Sequence, residues 1–583
     1  MKNMQREFND FFDFLMNSNG VMADMSVDPN ANVAQKTIAS VMQEVSKPFM
    51  KKYCLDKLAQ YAEANTDNKD RILDRIDKGA LYPSDLHMMY APYCWNFSVS
   101  NLMLKGLPFI PRIPSKLASH ADSFVQHAIQ LLMYASNHQS GAAALTSFFV
   151  GLDWYVRKDA LSDREIKQLF QIFTYSINQP VRFSAQSPYV NLSVFDRFYL
   201  HRMYGGFMYP DLTGIDEESI QRLQRMYVEW FIGETEKTGN IFTFPVLTAC
   251  LLLDENGNVK DEEFLDWLSS VNSKYGFINI YMSQNADSLS SCCRLRNGLG
   301  YINSFGSGGD GVGSIGVCSI NLPHIALTEK DFFNALKSYT EDAQVVVEFR
   351  RKWVKENIAK GLFPLFDHGF MDLNRMYCTV GIVGLYEAWE ILQQGDYMDF
   401  AKEVLMTINE ANEKRRLLTG YPYNLEQVPA ENMAVYMAKK DRELGLQDRY
   451  DIFSNQWIPL TEDTDVINRI YVAGQLDSIT TGGSILHVTT QGHVSPETHK
   501  NIVKLCAKMC VVYFALNYIL SRCTECENVI VGEAPVCPEC HGTTFDRFTR
   551  VVGFITPVKN WKKERREEFE KRTRYEVEKE ITV

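Results

Sequence analysis

The chain has 583 residues, 45% of them hydrophobic and 23% charged, with a formal net charge of −12. This balance fits a globular protein with a sizeable core. It excludes a broad basic surface for gripping a nucleic-acid polymer, because phosphate backbones are held by Lys and Arg, but it leaves a mononucleotide open.

The N-terminus, Met1-Lys-Asn-Met-Gln-Arg-Glu-Phe8, has no apolar signal core, and no run of eighteen apolar residues occurs. A cytoplasmic protein with no membrane segment is expected. The thirteen cysteines are too few and too scattered for a disulfide scaffold, so they read as thiols, metal ligands or catalysts.

Residues 1–80 combine helical periodicity (Phe8, Phe11, Phe12, Leu15; then Leu55, Leu58, Tyr61) with a polar loop over Asp28–Val33, and they read as a helical lead-in. Cys94 follows in an aromatic-rich stretch, where a lone cysteine is ordinarily a small buried hydrophobe. From Ala118 to Tyr175 the spacing of Phe124, Ala128, Leu131 and Leu132 is helical. A short strand opens after Pro188, with Asn191 as a polar residue that faces either a site or solvent. Phe242–Asp254 is apolar without alternation, as in a strand buried on both faces, and a helix is expected over 261–274. Strands alternating with helices argue for an α/β fold with a closed or nearly closed sheet.

Ser290-Ser-Cys292-Cys293-Arg294 places two adjacent cysteines on opposite sides of an extended chain, so only one of them can face a given site. Gly306–Pro323 is Gly-rich but lacks the Gly-Lys-Ser/Thr of a Walker loop. Thr480-Thr481-Gly482-Gly483-Ser484, read as preceding a helix, either offers backbone N–H groups to phosphates or is a plain turn. Cys506 and Cys510, four apart on a helix, read as core thiols.

Near the C-terminus, Cys523-Thr-Glu-Cys526 and Cys537-Pro-Glu-Cys540 form two Cys-x-x-Cys knuckles ten residues apart, a spacing that suits tetrahedral zinc. With four thiolates and no open position, the role expected of zinc here is structural. Beyond it, Arg550-Val-Val-Gly553-Phe-Ile sets a glycine inside an apolar β-branched run, which calls for a bulge, a close backbone approach or a chemical reason. Lys559–Glu580 reads as a charged helix with a solvated face.

These motifs, in this order, resemble the anaerobic (class III) ribonucleotide reductases. Arg-Val-Val-Gly-Phe behind a four-cysteine knuckle resembles their glycyl-radical segment. Gly79–Ser98 resembles their first barrel strand, and Ser291-Cys292-Cys293-Arg294 their finger loop. Gly141–Phe149, Gln186–Asp196, Gly313–Pro323 and Asn424–Asn432 have counterparts between them, and the resemblance covers most of residues 20–577. It implies the ten-stranded α/β barrel shared with pyruvate formate-lyase. The implied organisation is a helical lead-in (1–80) without an ATP cone, a barrel (81–520) with the finger loop near 288–297, a zinc knuckle (521–545), and a radical loop and C-terminal helix (546–583).

The resemblance further implies reduction of ribonucleoside triphosphates. Gly553 stores the radical, since a Cα radical is shared between an amide nitrogen and a carbonyl, and only a residue without a side chain lets both peptides lie flat with it. Cys293, the residue immediately before Arg, becomes the thiyl, with Cys292 as the fallback, and Cys94 is the candidate reductant. Asn191, Thr481, Gly482, Gly483 and Ser484 are candidates for holding substrate. The implied partners are an activase using S-adenosylmethionine and an iron–sulfur cluster, a dNTP or ATP effector, formate or a redoxin as reductant, and a second copy in a homodimer. Aerobic enzymes carry Glu two residues after the radical cysteine, whereas this chain has Leu295. The competing readings are a formate-lyase-type glycyl radical enzyme, a non-catalytic zinc-knuckle protein and an inactive homologue.

Overall fold

The computed structural model describes residues 2–17, 38–183, 186–286 and 310–581. Its main sheet is built from β1 (Leu81–Pro83), β2 (Cys94–Asn96), β3 (Ala143–Ala144), β4 (Val190–Phe195), β5 (Val246–Leu252), β6 (Ile278–Ser283), β7 (Val312–Asn321), β8 (Met376–Val383), β9 (Tyr423–Gln427), β10 (Leu486–Thr489) and β11 (Tyr513–Asn517). Ten of these run in the order β10-β11-β6-β5-β4-β3-β2-β7-β8-β9, and β1 adds to β7.

Pairing is parallel from β2 to β6. It is also parallel through β7, β8 and β9 and between β10 and β11. The two sets meet antiparallel at β2–β7 and β6–β11.

The ring closes between β9 and β10. A parallel bridge joins Glu426 to Gly483, Gly482 N–H donates to Leu425 O at 2.6 Å, and Gln427 N–H donates to Gly483 O at 3.1 Å. A Cβ at Gly482 would lie 2.6 Å from Leu425 O, and Gly483 has φ +107, so this seam is built from the residue type that both constraints require. The result is the expected ten-stranded barrel, made of two five-stranded halves running in opposite directions. Thr480–Ser484 follows the helix Val466–Asp477 and leads into a strand, not into the expected helix.

Helices cover the outside. Glu217–Thr238 starts at Asp216, whose side chain accepts from Ser219 N–H, and stops at left-handed Gly239. Glu262–Tyr275 is framed in the same way by Asp261 and Gly276. Because both faces of the sheet are covered, β5 is buried along its whole length. Cys506 is buried in the helix Pro496–Lys508, whereas Cys510 lies beyond the helix end, exposed and at positive φ, which corrects its reading as a core thiol.

A second, antiparallel sheet follows, ordered β13-β12-β14-β15, from β12 (Leu520–Cys523), β13 (Val529–Val531), β14 (Phe545–Arg550) and β15 (Ile555–Pro557). The expected single C-terminal helix is instead a 3-10 turn, Val558–Asn560, and two short helices, Lys563–Glu570 and Val577–Glu580. Its charges are not all solvated, since Arg565, Glu568 and Arg572 are buried. No helix among the described residues is long and apolar enough to cross a membrane.

Candidate active site

Strand register carries one face of the sheet around the inside of the ring. Cys94 and Asn96 on β2 share a face with Ala144, which pairs with Asn191 on β4. Ser193 then pairs with Thr248 on β5, and Thr248 with Asn279 on β6. Tyr513 on β11 joins this face, its hydroxyl 3.0 Å from Asn279 Nδ2 and 3.3 Å from Thr248 Oγ1. On the opposite wall, Ser314 and Thr379 hydroxyls meet at 3.0 Å, and Thr379 pairs with Asn424 on β9.

The barrel is therefore lined with buried polar groups. Among the described residues, both amide atoms of Asn424, Asn279 Oδ1 and Thr489 Oγ1 have no hydrogen-bond partner. A buried polar atom left unpaired costs about 1–3 kcal/mol, so several on one inner face are the signature of a polar ligand's site.

The apolar run around Gly553 is not a continuous strand. β14 and β15 pair with Arg550 opposite Ile555, leaving Val551–Phe554 as a four-residue hairpin tip. A buried tip and a buried strand have the same composition, which is why the sequence reads as β. Gly553 is buried, and its carbonyl oxygen accepts from Asn279 Nδ2 at 3.1 Å. Phe554 packs against Phe244 and Tyr189, with ring centroids 5.7 and 5.9 Å away. Tyr189 in turn packs against Cys94 and Ala142. One aromatic ring thus separates the hairpin tip from the Cys94 neighbourhood. The Cys94 sulfur accepts from Ala142 N–H at 3.2 Å, and a Cβ at Gly141 would lie 2.4 Å from it.

The hairpin is held by charge as well as by packing. Buried Arg550 donates to Leu516 O at 3.2 Å, and burial lowers its pKa to about 10. Arg572 donates to Arg550 O at 3.1 Å and forks onto Glu568 at 3.0 Å with both Nε and Nη2. Arg565 donates to Ala430 O at 2.7 Å and Glu431 O at 3.1 Å. Burial alone raises the Glu568 carboxyl, but Arg572 and Arg565 outweigh it and hold the group below its ordinary value. Val551, Val552, Trp561 and Phe569 form the apolar side of this clamp.

The four knuckle sulfurs lie within 4.8 Å of one another, with Cys523–Cys540 at 3.5 Å and Cys526–Cys537 at 3.6 Å. A tetrahedral ion with sulfurs at about 2.3 Å has edges of roughly 3.8 Å, so the donor set fits one. Each knuckle turns at a left-handed residue directly after its second cysteine, Glu527 at φ 65 and His541 at φ 63. Backbone N–H groups of Cys540 and Glu539, working against burial, hold the Cys537 thiol down at about 6.

Of the residues singled out from sequence, the structure brings Cys94, Asn191 and Gly553 to the barrel interior and gathers the four knuckle cysteines. Thr481, Gly482 and Gly483 sit in the closing seam, where Thr481 Oγ1 accepts from Leu425 N–H, and the Ser484 hydroxyl donates to Asp477. Cys292 and Cys293 lie outside the described residues, as do Asp28–Val33 and Gly306–Gly309. The flanks of 287–309 are described: β6 and β7 stand opposite each other in the ring, and Asp310 is anchored by Ser147 Oγ at 2.7 Å and Thr146 Oγ1 at 3.1 Å. Thr248, Asn279, Thr379, Asn424 and Tyr513 were not foreseen. Polar residues at every second position of otherwise apolar strands, as in Ile-Asn279-Ile-Tyr281, were the available signal.

A ten-stranded barrel with a polar interior, entered by a glycine-bearing hairpin that reaches a cysteine neighbourhood, defines a barrel protein with an enclosed polar site. The family model for anaerobic ribonucleoside-triphosphate reductase matches residues 29–575, and the chain belongs to that family. It is 34% identical to a solved anaerobic ribonucleotide reductase, covering 98% of this chain and 97% of that one at a TM-score of 0.85. It is 36% identical to the anaerobic ribonucleotide reductase of Thermotoga maritima solved with dATP and CTP, with 97% and 98% covered and a TM-score of 0.83. A hydroxyproline dehydratase from Clostridioides difficile, 10% identical over 97% of this chain and 88% of that one, shares the fold alone at a TM-score of 0.56. No curated protein sequence matches. The chain is an enzyme that reduces ribonucleotides, and the family uses a glycyl radical.

Proposed function

We propose that the enzyme reduces ribonucleoside triphosphates with Gly553 as the stored radical, Cys293 as the thiyl and Cys94 as a hydrogen donor to the sugar. Cys292 replaces Cys293 should the latter prove structural. The observation that carries this reading is the buried hairpin tip, with Gly553 bonded to the β6 wall and Phe554 one ring away from Cys94.

A hydrogen atom passes from a thiol to Gly553 Cα, leaving the thiyl, which then takes the 3′ hydrogen of the ribose. The 2′ oxygen leaves as water, Cys94 supplies hydrogen to the sugar, and the 3′ hydrogen returns. The net change consumes two reducing equivalents from formate or a redoxin. Asn191 and the seam residues Thr481, Gly482, Gly483 and Ser484 are proposed to contact substrate, and the unpaired interior amides support a polar occupant.

Cys523, Cys526, Cys537 and Cys540 would hold zinc, which stabilises the base of the hairpin and has no open position for chemistry. The proposal includes a radical-installing activase using S-adenosylmethionine and an iron–sulfur cluster, a cytoplasmic setting, oxygen sensitivity and a homodimer. It also includes a dNTP or ATP effector, in line with the dATP-bound Thermotoga maritima enzyme.

The test is anaerobic activation followed by assay with CTP or ATP, formate in one tube and thioredoxin in the other. A glycyl doublet with deoxynucleotide formation is expected. Gly553→Ala should lose both, whereas Cys293→Ser should keep the doublet and lose turnover. A doublet that persists in Gly553→Ala rules the assignment out.

A further inference from the structure

We propose that Asn279 is the residue that positions and tunes the radical at Gly553, by donating its side-chain amide hydrogen to the Gly553 carbonyl oxygen. The inference rests on Gly553 being the radical residue.

The starting point is geometric. Asn279 is the second residue of β6, fully buried, on the strand that lies between β5 and β11. Its Nδ2 is 3.1 Å from Gly553 O and 3.0 Å from Tyr513 Oη, and that hydroxyl is 3.3 Å from Thr248 Oγ1. The orientation of the amide follows from its partners. Turned over, it would set Oδ1 against the Gly553 carbonyl oxygen, two acceptors with no hydrogen between them. The chain Thr248–Tyr513–Asn279 therefore aims an N–H from three neighbouring strands at one oxygen of the hairpin tip.

That oxygen has a chemical meaning that other tip atoms lack. An unpaired electron on a glycine Cα is shared between the adjoining amide nitrogen, which gives electron density, and the adjoining carbonyl, which takes it. A hydrogen bond to the carbonyl oxygen favours the form with spin on oxygen. It thereby lowers spin density at Cα and weakens the Cα–H bond that must break when the radical is made. A donor fixed on a strand supplies this without reorganisation, as preorganised donors do at developing charge. The hydrogen-atom exchange stays balanced throughout: one S–H breaks as one Cα–H forms when the thiyl is generated, and the reverse occurs when the glycyl radical is restored. Asn279 takes no part in bond making and shifts only the position of that equilibrium.

A purely architectural role would let Asn279 hold the tip in place and leave the electron distribution alone, and spectroscopy separates the two. The activated full-length enzyme is prepared with asparagine labelled with 15N at the side-chain amide, and examined by electron paramagnetic resonance and electron–nuclear double resonance. The expected result is a weak 15N coupling in the wild type. That coupling should vanish in Asn279→Leu, with a wider α-proton splitting and a radical yield or lifetime lower by about fivefold, the effect of one neutral hydrogen bond of about 1 kcal/mol. Tyr513→Phe, which keeps the donor and frees its second anchor, should retain the coupling with a broader spread of values.

A wild-type doublet without 15N coupling overturns the proposal even if Asn279→Leu fails to fold, and so does a folded Asn279→Leu with unchanged splitting. Failure of the underlying assignment looks different: no doublet forms in the wild type, or one survives in Gly553→Ala.

Discussion

The barrel wall and the hairpin that enters it are held by different means. The wall is a continuous ladder of backbone hydrogen bonds backed by helices, so its inner side chains stand at positions fixed by register. Apart from pairing with its own small sheet and the packing of Val551, Val552 and Phe554, the hairpin is held by side chains reaching backbone oxygens. Arg572 binds Arg550 O, Arg550 binds Leu516 O, Arg565 binds Ala430 O and Glu431 O, and Asn279 binds Gly553 O. The wall is a permanent scaffold, whereas the hairpin is seated by a small number of bonds that can be cut one at a time.

The largest effect expected from cutting them lies at the knuckle. Structural zinc in small domains contributes on the order of 10 kcal/mol of folding energy. Removing the proposed zinc by chelation, or making Cys537→Ser, should therefore expose the hairpin to protease while the barrel's own thermal transition persists. Loss of both together would erase the distinction between wall and plug.

Next comes Arg572→Met, which strands Glu568 in the interior with only Arg565 beside it. Breaking a buried pair from one side costs about 3–5 kcal/mol, so hydrogen exchange across 546–576 should accelerate while β4–β6 stay protected. Arg572→Lys should recover only part of this, since it keeps the charge and loses the fork.

The smallest effect concerns the wall alone. Burial outweighs the Ser147, Thr146 and Tyr204 hydroxyls that oppose it and raises the Asp310 carboxyl from 3.8 to about 6. The folded state therefore binds this proton more tightly than the unfolded chain does, and the group's contribution to stability falls as pH rises from about 4 to 6, by up to about 3 kcal/mol. Asp310→Asn should flatten that slope in thermal unfolding curves and leave hairpin exchange unchanged.

Much of this architecture was legible in the sequence, for identifiable reasons. The spacing of Cys523, Cys526, Cys537 and Cys540 leaves few alternatives to a metal knuckle, and the unalternating Val246–Leu252 run requires a strand covered on both sides. Three features were hidden. Val551–Phe554 reads as strand because burial, not pairing, selects its residues. Arg565, Glu568 and Arg572 read as solvated because local sequence cannot show that three charges will neutralise and bond one another inside. Gly482 and Gly483 read as a loop because the strand they touch, β9, lies more than fifty residues away.

That last pair decides whether the main sheet is a ring or an open ribbon. At Gly482 the two edges come so near that any methyl group would drive the Leu425 carbonyl away and part the staves on either side. An alanine there would not merely strain a turn. It would open the seam of the polar chamber that Asn424 and Asn279 line, so the closure of the barrel rests on an absent side chain.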